Sequence, residues 1–516
     1  MLRSRPSMHP LTSMGQPLIA LFWWLLVLTD PSVGLAGLSG EEPVHVKLVK
    51  ALEGVSGTRM LADVAQLSSS DLNGRQTGTA DDLRSGLLVA ERFQSLGLQP
   101  GGTEVLKPLS HPWATTTAVT ATQIGGIAQL ELSSDSSAIS ARPGEDYLPI
   151  LDSPSVDVTA PVVFVGYGIS DPTRGFDEYA GVDVQKRIVL FFRGKPEGYA
   201  APVSQADKVR VAREKGAIAF LTLTGPILSA YESRRGLSTG PMAYYGHVDG
   251  EHTLPGCWIS PALAEKTLSA QQRSLRDVQE TLNRTLTPQS ASTGMQAHLA
   301  WDSKQTSGTL VNILGVIKGA DSTASSDRNE TVLVGAHRDH FGRQAGLLFS
   351  GADDNASGTA VLLEVARALI YSGTTPRRSI VFASFSGEEQ NLLGSRLYVS
   401  RPARPLAKTI AMINVDHAGV GNGRLTVGIA GLPKERATGA GQLAGLADKL
   451  DLFGFFPGGD HVPFKEVGVP TIAVVSAGAH PHFHQPSDAV DTILPQILEA
   501  TARYVLALTW QLANAP

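Results

Sequence analysis

The histidines, aspartates and glutamates that could do chemistry gather at five places in the second half of this 516-residue chain. They are His337-Arg338-Asp339-His340, then Asp353-Asp354 inside the Gly351–Gly358 stretch, then Glu388-Glu389 after Gly387, then Asp416, and finally His480, His482 and His484. Carboxylates crowded together repel one another unless a cation lies among them. Imidazole mixed with carboxylate is a donor set that suits zinc. A single acid of this kind is ordinary in a polar loop. Five clusters, four of them at the ends of successive strands, are not explained as solvated loops.

The elements that must position these residues are readable around them. Val332–Val334 leads into His337, Ile380–Ala383 into Glu388-Glu389, Ile410–Val415 into Asp416, and Ile472–Val475 into the histidine loop. These runs are apolar throughout rather than alternating, which implies strands buried on both faces, as in a parallel sheet covered by helices. Open α/β sheets bind ligands beyond the carboxyl ends of their strands, so four strands aim their acids and imidazoles at one crevice. Asp353-Asp354 precedes a helix expected over Thr359–Tyr371, whose N-terminal dipole adds positive potential at the same place. A last helix is expected over Leu494–Leu512. Upstream, residues 57–98 read as helical with a break at Ser68–Gly74. From about 113 to 300 the chain turns to short β-rich runs such as Val162–Val165 and Arg187–Phe192, broken once by a helix over Ser204–Lys215. Pro288–Gly294 reads as a linker.

The order of the five motifs resembles that of the co-catalytic zinc peptidase family, which includes secreted bacterial aminopeptidases, aminopeptidase Y, glutamate carboxypeptidase and the transferrin receptor. The resemblance rests on His337-Arg338-Asp339, Gly351–Gly358, Gly387-Glu388-Glu389, Asp416 and His484-Gln485-Pro486-Ser487-Asp488. It implies an α/β catalytic domain with a mostly parallel mixed sheet covered by helices, spanning 296–516. It implies two zinc ions, one held by His337 and Asp416, the other by Glu389 and His484, with Asp354 bridging. Glu388 would be the general base, and Asp339 would sit behind His337 and orient its ring. Asp353 would support the turn rather than bind metal. Val162–Ile169 and Asp177–Val184 resemble the family's inserted β-rich protease-associated domain, here 151–290, and 37–150 would be the N-terminal part of the peptidase region. Leu72–Gly78 resembles the family's lead-in segment. One departure stands out: some relatives carry a tyrosine just before the last histidine ligand, a candidate oxyanion donor, and this chain has Phe483.

The expected activity is that of an aminopeptidase acting on peptides. A carboxypeptidase or dipeptidase with the same metals is the nearest alternative. A glutaminyl cyclase is disfavoured by the inserted domain, and a non-catalytic receptor-like member by the complete ligand set. The net charge of −5 offers no basic footprint for nucleic acid. Arg3 and Arg5 precede the apolar run Leu18–Leu28, which is followed by Gly34, Ala36 and Gly37. That pattern reads as a signal peptide over 1–36 and so as a secreted or periplasmic protein without a membrane anchor after cleavage. The one cysteine, Cys257, excludes an internal disulfide and reads as a buried apolar residue. Gly236-Leu237-Ser238-Thr239-Gly240 has the spacing of a serine-hydrolase elbow but follows Glu232–Arg235 rather than a strand. Asp460-His461 fits either support of the site or a helix cap.

Overall fold

Each continuous apolar run forms a strand, and together they make the centre of a large mixed sheet. In the computed structural model, which describes residues 44–515 apart from 248–251, 269–272 and 322–328, Thr331–His337 lies between Ser379–Phe385 and Thr409–Asp416, parallel to both. Thr471–Ser476 pairs parallel with Thr409–Asp416, Leu425–Ala430 follows antiparallel, and Leu450–Phe453 forms the edge. Every residue of Thr331–His337 and Ser379–Phe385 is buried. The period-two alternation sends Val332, Val334 and Ala336 into one core and Leu333 into another. The first core is filled by Val44–Glu53, Gly57–Leu67, Ala80–Ser95, Gly358–Tyr371 and Pro495–Asn514. The second takes Tyr398 and Phe464 from helices on the opposite face. The helices therefore cover both faces, as the apolar runs require. No helix among the described residues is long and apolar enough to cross a membrane. The expected signal segment lies outside the described residues.

The expected linker at Pro288–Gly294 is corrected by the structure. A strand begins at Ala291 and runs to Ile317, antiparallel to Ala114–Ser134 along most of its length. Thr293, Met295, Ala297, Leu299 and Trp301 alternate inward along it. The small polar residues at its start mimic a loop, and the alternation that marks a half-buried strand becomes plain only beyond Gly294. This strand joins the central parallel strands, through Ser379–Phe385, to the middle region, through Val156–Phe164.

In the middle region Val156–Phe164, Ile188–Phe192, Ala219–Leu223 and Gly256–Ile259 run parallel in that order. Cys257 is fully buried there. The segments Val162–Ile169 and Asp177–Val184 meet at one buried carboxylate. Glu178 accepts from the amides of Tyr167 and Ile169 at 2.9–3.0 Å. Burial pushes Glu178 up to about 7, against those amide hydrogen bonds. Gly166 has φ +54°, and a Cβ there would meet Glu178 Oε1 at 1.8 Å. Only glycine fits so close a carboxylate.

One buried ion pair fastens the N-terminal helices to the parallel strands of the sheet. Arg338 Nη2 meets Asp82 Oδ1 at 2.8 Å, with both side chains wholly buried. The same guanidinium donates to the carbonyls of Val311 and Ser384, and Ser386 Oγ donates to Asp82 Oδ2. Removing one member of such a pair strands the other charge in the core. Asp82→Ala is therefore expected to cost about 3–5 kcal/mol, read as a lowered midpoint in denaturant unfolding. An unchanged midpoint would show that Arg338 is satisfied by carbonyls alone.

Candidate metal centre

Neighbouring parallel strands end on the same edge of the sheet, and that geometry collects the predicted residues. His337 and Asp416 are the last residues of adjacent strands. Glu388 and Glu389 follow Ser379–Phe385 after Gly387, and His484 stands in the loop after Thr471–Ser476. Asp354 comes from the irregular turn Ala352–Ser357 that leads into the Gly358–Tyr371 helix.

That turn is held from several sides. Asp488 accepts the amides of Asp353 at 2.8 Å and Asp354 at 3.0 Å. Asn355 donates to the carbonyl of Val415 and accepts the amide of Gly358. Gly351 has φ +58°, and a Cβ there would strike the His340 ring at 2.5 Å. Arg75, fully buried, donates to the carbonyls of Ser350 and Gly351 at 2.8 Å each and to that of Arg338. Burial brings its pKa down to about 10, with Asp339 and Asp488 opposing the drop.

The donor atoms fall into two groups that share Asp354. His337 Nε2 lies 3.3 Å from Asp354 Oδ1 and 3.4 Å from Asp416 Oδ1. His484 Nε2 lies 3.1 Å from Asp354 Oδ2 and 3.4 Å from Glu389 Oε2. One oxygen of Asp354 thus faces each group. Donors about 2.0–2.2 Å from a tetrahedral zinc stand roughly 3.3 Å apart, so both groups have the spacing of a coordination shell. His337 Nε2 is buried with no hydrogen-bond partner among the described residues, as a nitrogen reserved for a metal would be. The charge is also out of balance. Burial alone would lower His337, yet Asp416, Glu388, Asp339 and Asp354 outweigh it and hold its pKa well above the ordinary value. Burial, followed by the carboxylates of Asp354 and Glu388, holds Glu389 well above the usual carboxylate range. The carboxylates crowd His337 and one another here, and the residues present fit a pair of divalent ions.

Supporting contacts orient the donors. His337 Nδ1 faces Asp339, 3.3 Å from its carbonyl oxygen and 3.6 Å from Oδ1. Asp339 in turn accepts from Thr77 Oγ1 at 2.8 Å and from the Glu388 amide at 3.3 Å. His484 Nδ1 lies 3.0 Å from the carbonyl of Ala243, which leaves Nε2 for Asp354 and Glu389. Phe483 stacks on the His484 ring at 3.7 Å. His482 points away, to Ser487. Asp353 takes no place in either donor group: it holds His480 Nδ1 at 2.7 Å and the Gly419 amide at 2.8 Å. Asp460 is buried without a side-chain cap to its helix. Burial raises it to about 7, and His337, Asp339 and Asp416 are the charges that act on it. It stands by the site and is not a helix cap. Ser238 follows the helix Ala230–Arg235 rather than a strand, so no nucleophile elbow exists there.

Four residues were given no role by the sequence reading. His340 lies 2.7 Å from Glu389 Oε1 and forms a third possible donor group with Asp354 and Glu389. His417 lies 3.3 Å from Asp353 and 3.7 Å from Asp354. Arg75 and Thr77 belong to a segment matched by resemblance alone, and only their long-range contacts show what they hold. The donors open onto a cleft of about 580 Å³, lined also by Glu388, His417, Phe453, Phe455, Phe456 and Phe483.

Residues 312–509 match the model of peptidase family M28. The probable glutamate carboxypeptidase VP8 of Zea mays is 28% identical over 433 residues, covering 77% of this chain and 53% of the relative. The chain spans about half the length, or less, of the first curated relatives it matches. Among solved structures, the aminopeptidase from Aneurinibacillus sp. strain AM-1 superposes with a TM-score of 0.63 at 22% identity, over 90% of this chain and 96% of that one. BSAP, a zinc aminopeptidase from Bacillus subtilis, gives 0.59 at 22% identity, over 89% and 96%. These likenesses fix the fold as the mixed, mostly parallel α/β architecture of such proteins.

Proposed function

We propose that this chain, whose catalytic segment is a peptidase family M28 domain, is a secreted exopeptidase that uses two zinc ions to remove N-terminal residues from peptides. The observation that carries this reading is Asp354, with one oxygen turned to His337 and Asp416 and the other to His484 and Glu389. In it His337 and Asp416 would hold one ion, Glu389 and His484 the other, and Asp354 would contribute to both. When bound, the ions supply water activation near neutral pH and polarise the scissile carbonyl.

The chain's own residues do the rest. Glu388 lines the cleft beside the donors but belongs to none of the donor groups. Burial, and beyond it Asp416, Asp460 and Asp354, outweigh His337 and raise its proton affinity. A carboxylate in that position accepts a proton from the attacking water and returns it to the leaving amine. Asp339 keeps the His337 ring turned so that Nε2 faces Asp354 and Asp416. The aminopeptidase names of the structural neighbours favour free N-termini, and the name of the maize relative keeps a carboxypeptidase as the second reading.

Secretion rests on the N-terminal 1–36 pattern. The middle region, 151–290, is read as a protease-associated domain, supported by Glu178 knitting its two motifs together. The test is a panel of free-amine, N-blocked and C-terminal peptide substrates, each with and without chelator. Free-amine peptides are expected to be cleaved, and chelation to abolish cleavage until zinc is restored. Cleavage of N-blocked peptides alone would overturn the aminopeptidase reading. Indifference to chelator would overturn the metal reading.

A further inference from the structure

The wall of the cleft facing the donor groups is not built by the catalytic segment alone. Arg234 and Arg235, at the end of the Ala230–Arg235 helix in the middle region, line the same cleft as Asp354, Glu388, Glu389, Asp416 and His484. Their segment is anchored on the histidine loop at both ends. The carbonyl of Arg235 accepts from the His480 amide at 2.6 Å, and the Ala243 amide donates to the carbonyl of His484 at 2.9 Å. The backbone that carries Arg235 is thus set against the loop that carries His484.

The two arginines are differently engaged. Arg234 lies over the ring of Phe453, 5.6 Å from its centroid, and donates to Ala230. Arg235 Nε is buried and has no hydrogen-bond partner among the described residues. Among the acids near it, Glu232 of the same helix pairs with Arg193 at 3.1 Å, Asp451 of the cleft wall pairs with Arg424 at 2.7 Å, and Asp354, Asp416 and Glu389 face the donor histidines. A guanidinium on a cleft wall with no ion-pair partner among the described residues is shaped to grip a carboxylate through two parallel hydrogen bonds.

We propose that Arg235 is a specificity-determining residue that binds a carboxylate of the peptide substrate. Two parts of a peptide carry that group: the C-terminus of a short peptide, or an acidic side chain. The inference rests on the exopeptidase reading above. It adds that the middle region, which already orients His484 through the Ala243 carbonyl, also selects substrates.

The test uses the full-length zinc-loaded protein and two pairs of peptides. Leu-Gly against Leu-Gly amide varies only the terminal carboxylate. Leu-Glu amide against Leu-Gln amide varies only an acidic side chain. In one pair the carboxylate form is expected to be favoured in kcat/KM by about 10- to 100-fold, the size of one charge-assisted interaction. Which pair shows it identifies the source. In Arg235→Met that ratio collapses to near one, and Arg235→Lys keeps part of it. The ratio cancels any general loss of activity or folding. Ratios near one in both pairs for the unaltered protein, or a ratio that survives Arg235→Met, would overturn the proposal. If none of the four peptides is cleaved, the aminopeptidase reading alone falls. The same ratios measured as dissociation constants by calorimetry then still decide the role of Arg235.

Discussion

Glu388→Gln is expected to lower kcat by about 10²–10⁴-fold, the usual contribution of a positioned general base, while zinc content stays that of the unaltered protein. The expectation follows from where the side chain stands. Ser379–Phe385 delivers the chain to Gly387, which has φ +77° and where a Cβ would meet Leu310 at 2.7 Å. That turn sends Glu388 into the cleft while its amide donates to Asp339. Its neighbour Glu389 faces His484 and His340 instead. Two consecutive acids thus part in direction, one into the cleft and one onto the histidines. Glutamine keeps the volume and the hydrogen-bonding shape of Glu388 but cannot take up a proton. Steady-state kinetics with metal analysis of the same sample checks both halves. A variant with full zinc and full activity would assign the base elsewhere, and one that lost zinc would make Glu388 a ligand.

The second large effect is expected at Asp354. Zinc sites in enzymes hold each ion with about three protein donors, and Asp354 is the third donor of both groups here. Asp354→Asn keeps the size but not the second carboxylate oxygen. Bound zinc is expected to fall to one ion or fewer per chain. Losing the charge stabilisation of an ion, several kcal/mol, is expected to lower kcat/KM by about 10³-fold or more. Dialysis followed by elemental analysis, alongside kinetics, reads both. A variant that keeps two ions would show that Asp354 does not bridge. Neighbouring Asp353 offers the contrast within one turn, since it is spent on His480 and Gly419.

Part of this was legible because it is local. A strand buried on both faces has to be apolar along its length, so Val332–Val334, Ile380–Ala383, Ile410–Val415 and Ile472–Val475 declare a parallel sheet without any contact being known. A parallel sheet gathers its strand ends on one edge, and the acids and imidazoles after those runs then declare the site. The boundary at 288–294 was misread for an equally local reason: its serines, threonine and glycine are loop residues by composition. Pairing with distant strands overrides that tendency.

What the amino-acid order determined by itself, then, is the sheet, the edge that carries the chemistry and the chemical types assembled there. Only the tertiary structure decided which member of each crowded motif faces the centre. His484 points to Asp354 while His482 turns to Ser487, and Asp354 divides its oxygens between two groups while Asp353 is held away. Those choices depend on ring orientations and carbonyl partners from segments far away in sequence: Ala243 behind His484, Thr77 behind Asp339, Arg75 behind Gly351. Arg235 belongs to the same class. A lone arginine carries no message in sequence, and its meaning comes from a fold that lays the Ala230–Arg235 helix against the His480 loop, on the wall of the cleft that holds the donor groups.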